Sequence, residues 1–199
     1  KRTQCQLSVL KDSSMYEVFE SGIRGGLSFV NKHFSQHREG KTELLYVDVN
    51  NLYGWALSEP LPYADFCWIF EQTKLNDLTQ ALHTMDCVNS RVGYLFEVDI
   101  EIPQAVHDYM IRLPVAPEHM VPPPQLYGGN VQSSKCPKLL TTLLPKSKYI
   151  IHFRLLQLFL QLGAIITYTH RAISFSQAPV FKSYIDYNTD KRKESSVPF

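Results

Sequence analysis

Leu44-Leu45-Tyr46-Val47-Asp48-Val49-Asn50-Asn51-Leu52-Tyr53-Gly54-Trp55-Ala56-Leu57 is the stretch whose reading decides the fold. A β-branched and aromatic run ends on a lone carboxylate, Asp48, and the pair Asn50-Asn51 then signals a turn. The pattern predicts a strand over 44–48 with Asp48 where a sheet meets a loop. A carboxylate there can reach a metal ion while the strand behind it stays buried. After the turn an aromatic-rich segment begins, and Pro60, Pro62 and Tyr63 mark a further turn.

Composition bounds what surrounds this stretch. With 199 residues and 44% apolar content the chain can build a core, and it is no disordered tail. The formal net charge is +1, so any nucleic-acid site must be local. Cys5, Cys67, Cys87 and Cys136 are scattered without a C-x-x-C pair, which supports neither zinc nor a disulfide framework. They read as buried or idle thiols of a reducing compartment. No apolar run approaches the roughly 18 residues of a membrane span. The start lacks both Met and a signal peptide, and the end lacks a stop signal, so the chain reads as a piece of something longer.

Outward from the centre, the pattern predicts an α+β chain. Ser14 and Glu17 have capping-box spacing, and Met15, Val18 and Phe19 give a short helix over 13–21 one apolar face, with Gly22 as its stop. Arg24-Gly25-Gly26 follows, then an amphipathic segment from Leu27 to Phe34 and a polar loop. Leu75, Leu78 and Leu82 suggest one helix within 74–90. The clearest strand is 94–102, where Phe96, Val98, Ile100 and Ile102 alternate with Glu97, Asp99 and Glu101. Its acidic side reads as a solvated face. Residues 114–137 are proline- and glycine-rich and extended. A helix is expected over 148–162, with Leu155, Leu158, Phe159 and Leu162 on one face and Gly163 as cap. A strand-like run from Ala164 to Phe175 comes next. The last helix is expected to start at Pro179, as the first helical position, and to end in Lys191-Arg192-Lys193. His107, His119, His152 and His170 have no metal-ligand spacing, and His152 and His170 read as structural.

Asp48 to Gly54 resembles the first catalytic motif of family B DNA polymerases, D-x-x-S-L-Y-P, with Gly54 in place of the usual Pro. Residues 22–34 resemble the Y-x-G-G motif of the protein-primed members, with Ile23 where the aromatic usually stands. The segment 50–57 is similar to the form found in polymerases of self-synthesising transposons and related viruses. Gly93 to Pro103, Leu113 to Glu118, Lys146 to Phe153 and Phe175 to Lys193 fit the same group in order.

The resemblance implies a partial polymerase palm, a mixed or antiparallel sheet with helices, plus an insertion and the start of the fingers. It divides the chain into a template-binding lead-in (1–43), the catalytic strand and turn (44–60), the insertion (61–175) and a truncated fingers helix (176–199). The exonuclease domain would lie upstream; K-x-x-x-N-S-x-Y-G and D-T-D would follow. The implied reaction is template-directed addition of dNTPs to a DNA or protein primer. The implied partners are a DNA template-primer, dNTPs and a priming protein, with no membrane. The implied setting is intracellular, nuclear or within a virus or transposon.

Nucleotidyl transfer in this family uses two Mg²⁺ ions about 3.5–4 Å apart. By resemblance Asp48 bridges them and the Val49 carbonyl ligates one. The turn at Asn50, Asn51 and Leu52 offers N–H groups to the triphosphate. Tyr53 lies under the sugar as a steric gate, or else is a core tyrosine. Arg24, Gly25 and Gly26 approach the template backbone. Arg192 and Lys193, with Lys191 beside them, face the incoming triphosphate. Two other readings stand beside this one: a decayed or repurposed remnant that only binds nucleic acid or protein, and a metal-dependent nuclease in which Asp48 converges with Glu97 and Asp99.

Overall fold

The computed structural model describes residues 6–28, 34–111, 116–122 and 136–195. Helix α1 (Ser13–Ser21) and α2 (Leu52–Ser58) precede strand β1 (Leu61–Ile69), α3 (Gln72–Ala81) and β2 (Val92–Glu101). A short 3₁₀ turn and α4 (His107–Met110) lead to β3 (Glu118–Met120), β4 (Lys138–Leu140) and β5 (Lys146–His152). Helix α5 (Phe153–Gln161), β6 (Ile165–Ala178) and α6 (Lys182–Glu194) complete the order.

The strands β1-β6-β2-β5 form one antiparallel sheet, and β3-β4 a separate hairpin. The fold is α+β, as the pattern of elements predicts. All of the larger sheet lies between Leu61 and Ala178, and residues 44–60 add no strand to it.

Alternation along β2 places its side chains on two faces. Phe96, Val98 and Ile100 join Leu75, Leu82, Phe153, Leu156 and Phe159 in the main core. Leu95 points the other way, with Met15 and Val18 of α1 and Ile150, Ile173 and Phe175 of the sheet. The fully buried Phe153, Leu156 and Phe159 each contribute roughly 1.5–3 kcal/mol of burial free energy. Helix α1 forms over the expected range, but its cap is not the expected Ser14–Glu17 box: Ser14 lies inside the helix, and the Asp12 side chain caps it by accepting from the Ser14 and Met15 N–H groups.

Several expectations are corrected. Residues 44–48 form no strand: Leu45 and Tyr46 are 85% and 97% exposed. Strand propensity expresses fit to a pleated, half-buried surface, and no described strand lies beside this segment to provide one. The turn expected at Pro60, Pro62 and Tyr63 is instead the entry to β1. Pro62 is tolerated because β1 is an edge strand, with one side of its backbone unpaired.

The helix expected over 148–162 is two elements. Tyr149, Ile150 and Ile151 pair with Val98, Glu97 and Phe96, and helix begins only at Phe153. Its buried face is Phe153, Leu156 and Phe159, whereas Leu155 and Leu158 are exposed. Gly163 closes α5 as expected, at φ 96°. The Gly163 N–H donates to the Leu160 carbonyl and the Ala164 N–H to the Phe159 carbonyl, a Schellman pattern.

Pro179 precedes α6 rather than opening it; its carbonyl accepts from Lys182, the first helical residue. The Leu27–Phe34 and 114–137 segments lie partly outside the described residues. Within them, 116–122 contains β3.

Candidate functional site

Asp48 sits in the exposed, irregular segment 44–49 and accepts a 2.9 Å hydrogen bond at Oδ1 from the Val49 N–H. Asn51 then takes the left-handed conformation, φ 55°, which short polar side chains tolerate better than most. Its carbonyl accepts from Trp55 N–H at 3.0 Å, and its Oδ1 accepts from Gly54 N–H at 3.3 Å. Asn51 is therefore the cap that starts α2.

This cap accounts for Gly54 where the related motif has Pro. A Cβ at this position would stand 2.2 Å from Asn51 Nδ2. Pro would add that carbon and remove the N–H that the cap accepts. Tyr53 is 88% exposed, which excludes the core-tyrosine reading. Leu52, Val49 and Trp55 are exposed beside it.

Two contacts place α2. Glu59, at its C-terminus, accepts a 2.9 Å hydrogen bond from Arg154 Nη1 of α5. Helix α6 runs next to α2, so the Asn51–Tyr53 turn and the helix bearing Arg192 and Lys193 are neighbouring elements. At the end of α6, Lys191 pairs with Glu194, and Lys193 lies 3.7 Å from Asp190. The three cations in the last turn also suit the helix dipole.

Arg24 is turned inward. Its Nη1 donates to the Ile150 carbonyl at 2.6 Å and to the Gly22 carbonyl at 3.2 Å. The guanidinium stacks over the Tyr149 ring, 3.8 Å from its centroid. Burial pushes the Arg24 guanidinium below its ordinary pKa and pushes the Tyr149 phenol up to about 12. The Tyr149 hydroxyl donates to the Pro117 carbonyl at 2.9 Å. Arg24 thus fixes its loop to β5, and through Tyr149 to the entry of β3. Gly25 and Gly26 follow with open space where a Cβ would stand, and Gly26, at φ 80°, needs to be glycine.

The acidic side of β2 is not a solvated face. Glu97 is 8% exposed and pairs with Arg171 of β6. Asp99 accepts from His170 at 2.9 Å and from the Lys148 N–H at 2.7 Å. Among the described residues no three His, Cys, Asp or Glu side chains come together as metal ligands, so Asp48, Glu97 and Asp99 do not converge. That overturns the nuclease reading. His152 is packed between Phe153 and Phe175, and burial holds its pKa down at about 4.

Reading the sequence missed other groups. Lys146 has a fully buried side chain, held by Glu118 Oε2 at 2.6 Å and Thr142 Oγ1 at 2.7 Å. It pins the β3-β4 hairpin to the main sheet. The Glu59–Arg154 pair and the Arg171–Glu97 pair join residues far apart in the chain, so no local pattern announces them.

Residues 4–198 match the family described as DNA polymerase type B, organellar and viral. With nearly the whole chain covered, this protein belongs to that family, whose members are DNA polymerases and hence nucleotidyltransferases acting on a DNA template-primer and dNTPs. No curated protein and no solved structure matches the chain.

Family B polymerases generally use Mg²⁺. The described residues do not by themselves fit a two-metal site: Asp48 is a single exposed carboxylate, and Glu97 and Asp99 of β2 are committed to Arg171 and His170. No described helix is long and apolar enough to cross a membrane.

Proposed function

We propose that this chain carries the first catalytic motif of a protein-primed, DNA-directed DNA polymerase. The observation that carries the reading is the exposure of Asp48 and Tyr53 on a turn whose helix, α2, lies beside the basic-ended α6. A site that takes a triphosphate and a primer end needs an accessible carboxylate and cations; the segment leading into α2 carries the carboxylate, and the adjoining helix α6 carries the cations.

In this reading Asp48 and the Val49 carbonyl offer oxygen ligands at the reacting centre. A second carboxylate comes from outside the described residues. The N–H groups of Asn50, Asn51 and Leu52, with Arg192 and Lys193, face the triphosphate. The Tyr53 ring lies against the sugar and excludes a 2′-hydroxyl by contact. Gly25 and Gly26 allow close approach of a template backbone, while Arg24 holds their loop in place. The primer hydroxyl belongs to DNA or to a priming protein. Residues 1–43 lead in, 44–60 carry the catalytic turn, 61–175 form the insertion and 176–199 begin the fingers. The setting is intracellular, wherever a nuclear, viral or transposon genome is copied.

Primer extension by the complete polypeptide tests the substrate reading. The unaltered enzyme should incorporate dNTPs and reject ribonucleotides. Tyr53→Val should raise ribonucleotide incorporation at least tenfold while dNTP incorporation persists. Unchanged sugar selectivity in that variant would remove Tyr53 from the site.

A further inference from the structure

Tyr53 stands on α2 with its ring exposed, and among the described residues no side-chain hydrogen bond or ring contact holds it. Its direction is therefore set by its backbone. That backbone belongs to the first turn of a seven-residue helix, too short to hold itself together by propagation alone. The two ends of α2 are tied down separately. Glu59 holds the C-terminal end to Arg154, and at the N-terminal end the fixing contacts come from Asn51.

Asn51 Oδ1 accepts from the Gly54 N–H, while its backbone, at φ 55°, turns the chain from the 44–49 segment into the helix. Few residues with a side chain enter this left-handed region readily, and Asn is one of them. The three atoms nearest to a Cβ built on Gly54 all belong to the Asn51 side chain: Nδ2 at 2.2 Å, and Cγ and Oδ1 both at 2.7 Å. Gly54 is also the buried residue of α2, and its carbonyl accepts from Ser58 Oγ at 2.9 Å. The cap can form in this geometry only while position 54 has no side chain. Asn51 and Gly54 thus work as a pair that brackets Leu52 and Tyr53.

We propose that the Asn51 side chain, seated against Gly54, is the positioning element that aims Tyr53 and so sets the discrimination between deoxyribose and ribose. The inference rests on the reading of Tyr53 as the steric gate and adds the residue through which the gate is held. A gate excludes one hydroxyl by contact, so its ring has to keep its place to within roughly 0.5 Å. Loosening the first turn of α2 relaxes that exclusion while leaving the ring in the protein.

Primer extension by the complete polypeptide with Mg²⁺ gives kcat/KM for a ribonucleoside triphosphate and for the matching deoxyribonucleoside triphosphate. Both carry the same triphosphate, so a change in triphosphate binding cancels in their ratio. Asn51→Gly keeps the left-handed backbone but removes the cap and frees the turn, and it should raise relative ribonucleotide use about threefold or more. Gly54→Ala should raise it by a similar factor, because the new methyl displaces the Asn51 side chain. In the Asn51→Gly background Gly54→Ala should add nothing further, since the side chain it would displace is gone. Asn51→Asp preserves the Oδ1 acceptor and should keep the native ratio.

A purely structural role for Asn51 would lower stability or overall rate and leave the ratio at its native value. An unchanged ratio in Asn51→Gly, a relaxed ratio in Asn51→Asp, or factors that multiply in the double variant would overturn the proposal. Tyr53→Val, measured alongside, separates it from the reading beneath it. If Tyr53→Val relaxes selectivity and Asn51→Gly does not, the positioning role fails alone; if neither changes selectivity, the gate reading fails with it.

Discussion

Replacing Glu118 with Ala should damage this protein more than replacing its buried partner Lys146 with Met. The Lys146 side chain is fully buried, while Glu118 is 31% exposed, and the two meet at 2.6 Å. Removing Glu118 strands an ammonium with only Thr142 Oγ1 as acceptor. Breaking a buried ion pair by taking one partner costs about 3–5 kcal/mol. The remaining Thr142 bond puts the expected loss near the lower end, about 3 kcal/mol. For a chain of this size that lowers Tm by roughly 6–12 °C.

Lys146→Met removes the buried charge and keeps most of its volume. The freed Glu118 carboxylate is partly exposed and can turn to water, so the cost should stay below about 1.5 kcal/mol. With no ammonium left to strand, Glu118→Ala should cost little more in the Lys146→Met background. Urea unfolding followed by far-UV circular dichroism measures all four proteins. A Glu118→Ala variant within about 1 kcal/mol of the native protein, or a Lys146→Met variant less stable than Glu118→Ala, would refute the argument.

Other consequences concern packing and pH. A Cβ added at Gly93 would stand 2.2 Å from Phe175 Cε2 and 2.6 Å from Gln177 Oε1. Phe175 is 1% exposed and has nowhere to swing, so Gly93→Ala should cost about 3 kcal/mol in thermal or urea unfolding. His152 is held neutral, its pKa lowered from 6.5 to about 4, by burial and then by Arg154. Between those values the unfolded chain binds the extra proton. Stability should be level in this respect above pH 6.5 and fall by up to about 1.4 kcal/mol per pH unit as pH drops toward 4. Unfolding measured across that range in native protein and in His152→Phe should show a shallower acid limb in the variant.

Much of the fold is legible where the side-chain period is strict. The alternation of Phe96, Val98 and Ile100 yields β2, and the apolar face of Met15, Val18 and Phe19 with the stop at Gly22 yields α1, although its cap is Asp12 and not the expected Ser14. The border between β5 and α5 is not legible, because an apolar run crosses it without a change of composition. Only pairing with β2 decides that Tyr149 to Ile151 are strand. Pro62 hides β1 for a related reason: whether a proline is tolerated depends on which side of the strand is unpaired, a property of the whole sheet.

The Asp48–Gly54 motif is readable as a string. Its exposure and its neighbour α6 are not, since both depend on how distant elements pack. Lys146, Arg171 and Arg154 were invisible as buried or bridging cations because their carboxylates lie 28, 74 and 95 residues away.

The most direct test of the polymerase assignment is single-turnover incorporation by the complete polypeptide with Asp48 replaced by Asn, measured beside the variant's affinity for the same template-primer. The substitution keeps size and hydrogen bonding at an exposed position, so the fold should be intact. The account predicts that dNTP incorporation falls at least a thousandfold while DNA binding stays within a factor of about three. Incorporation at the native rate by Asp48→Asn would contradict it.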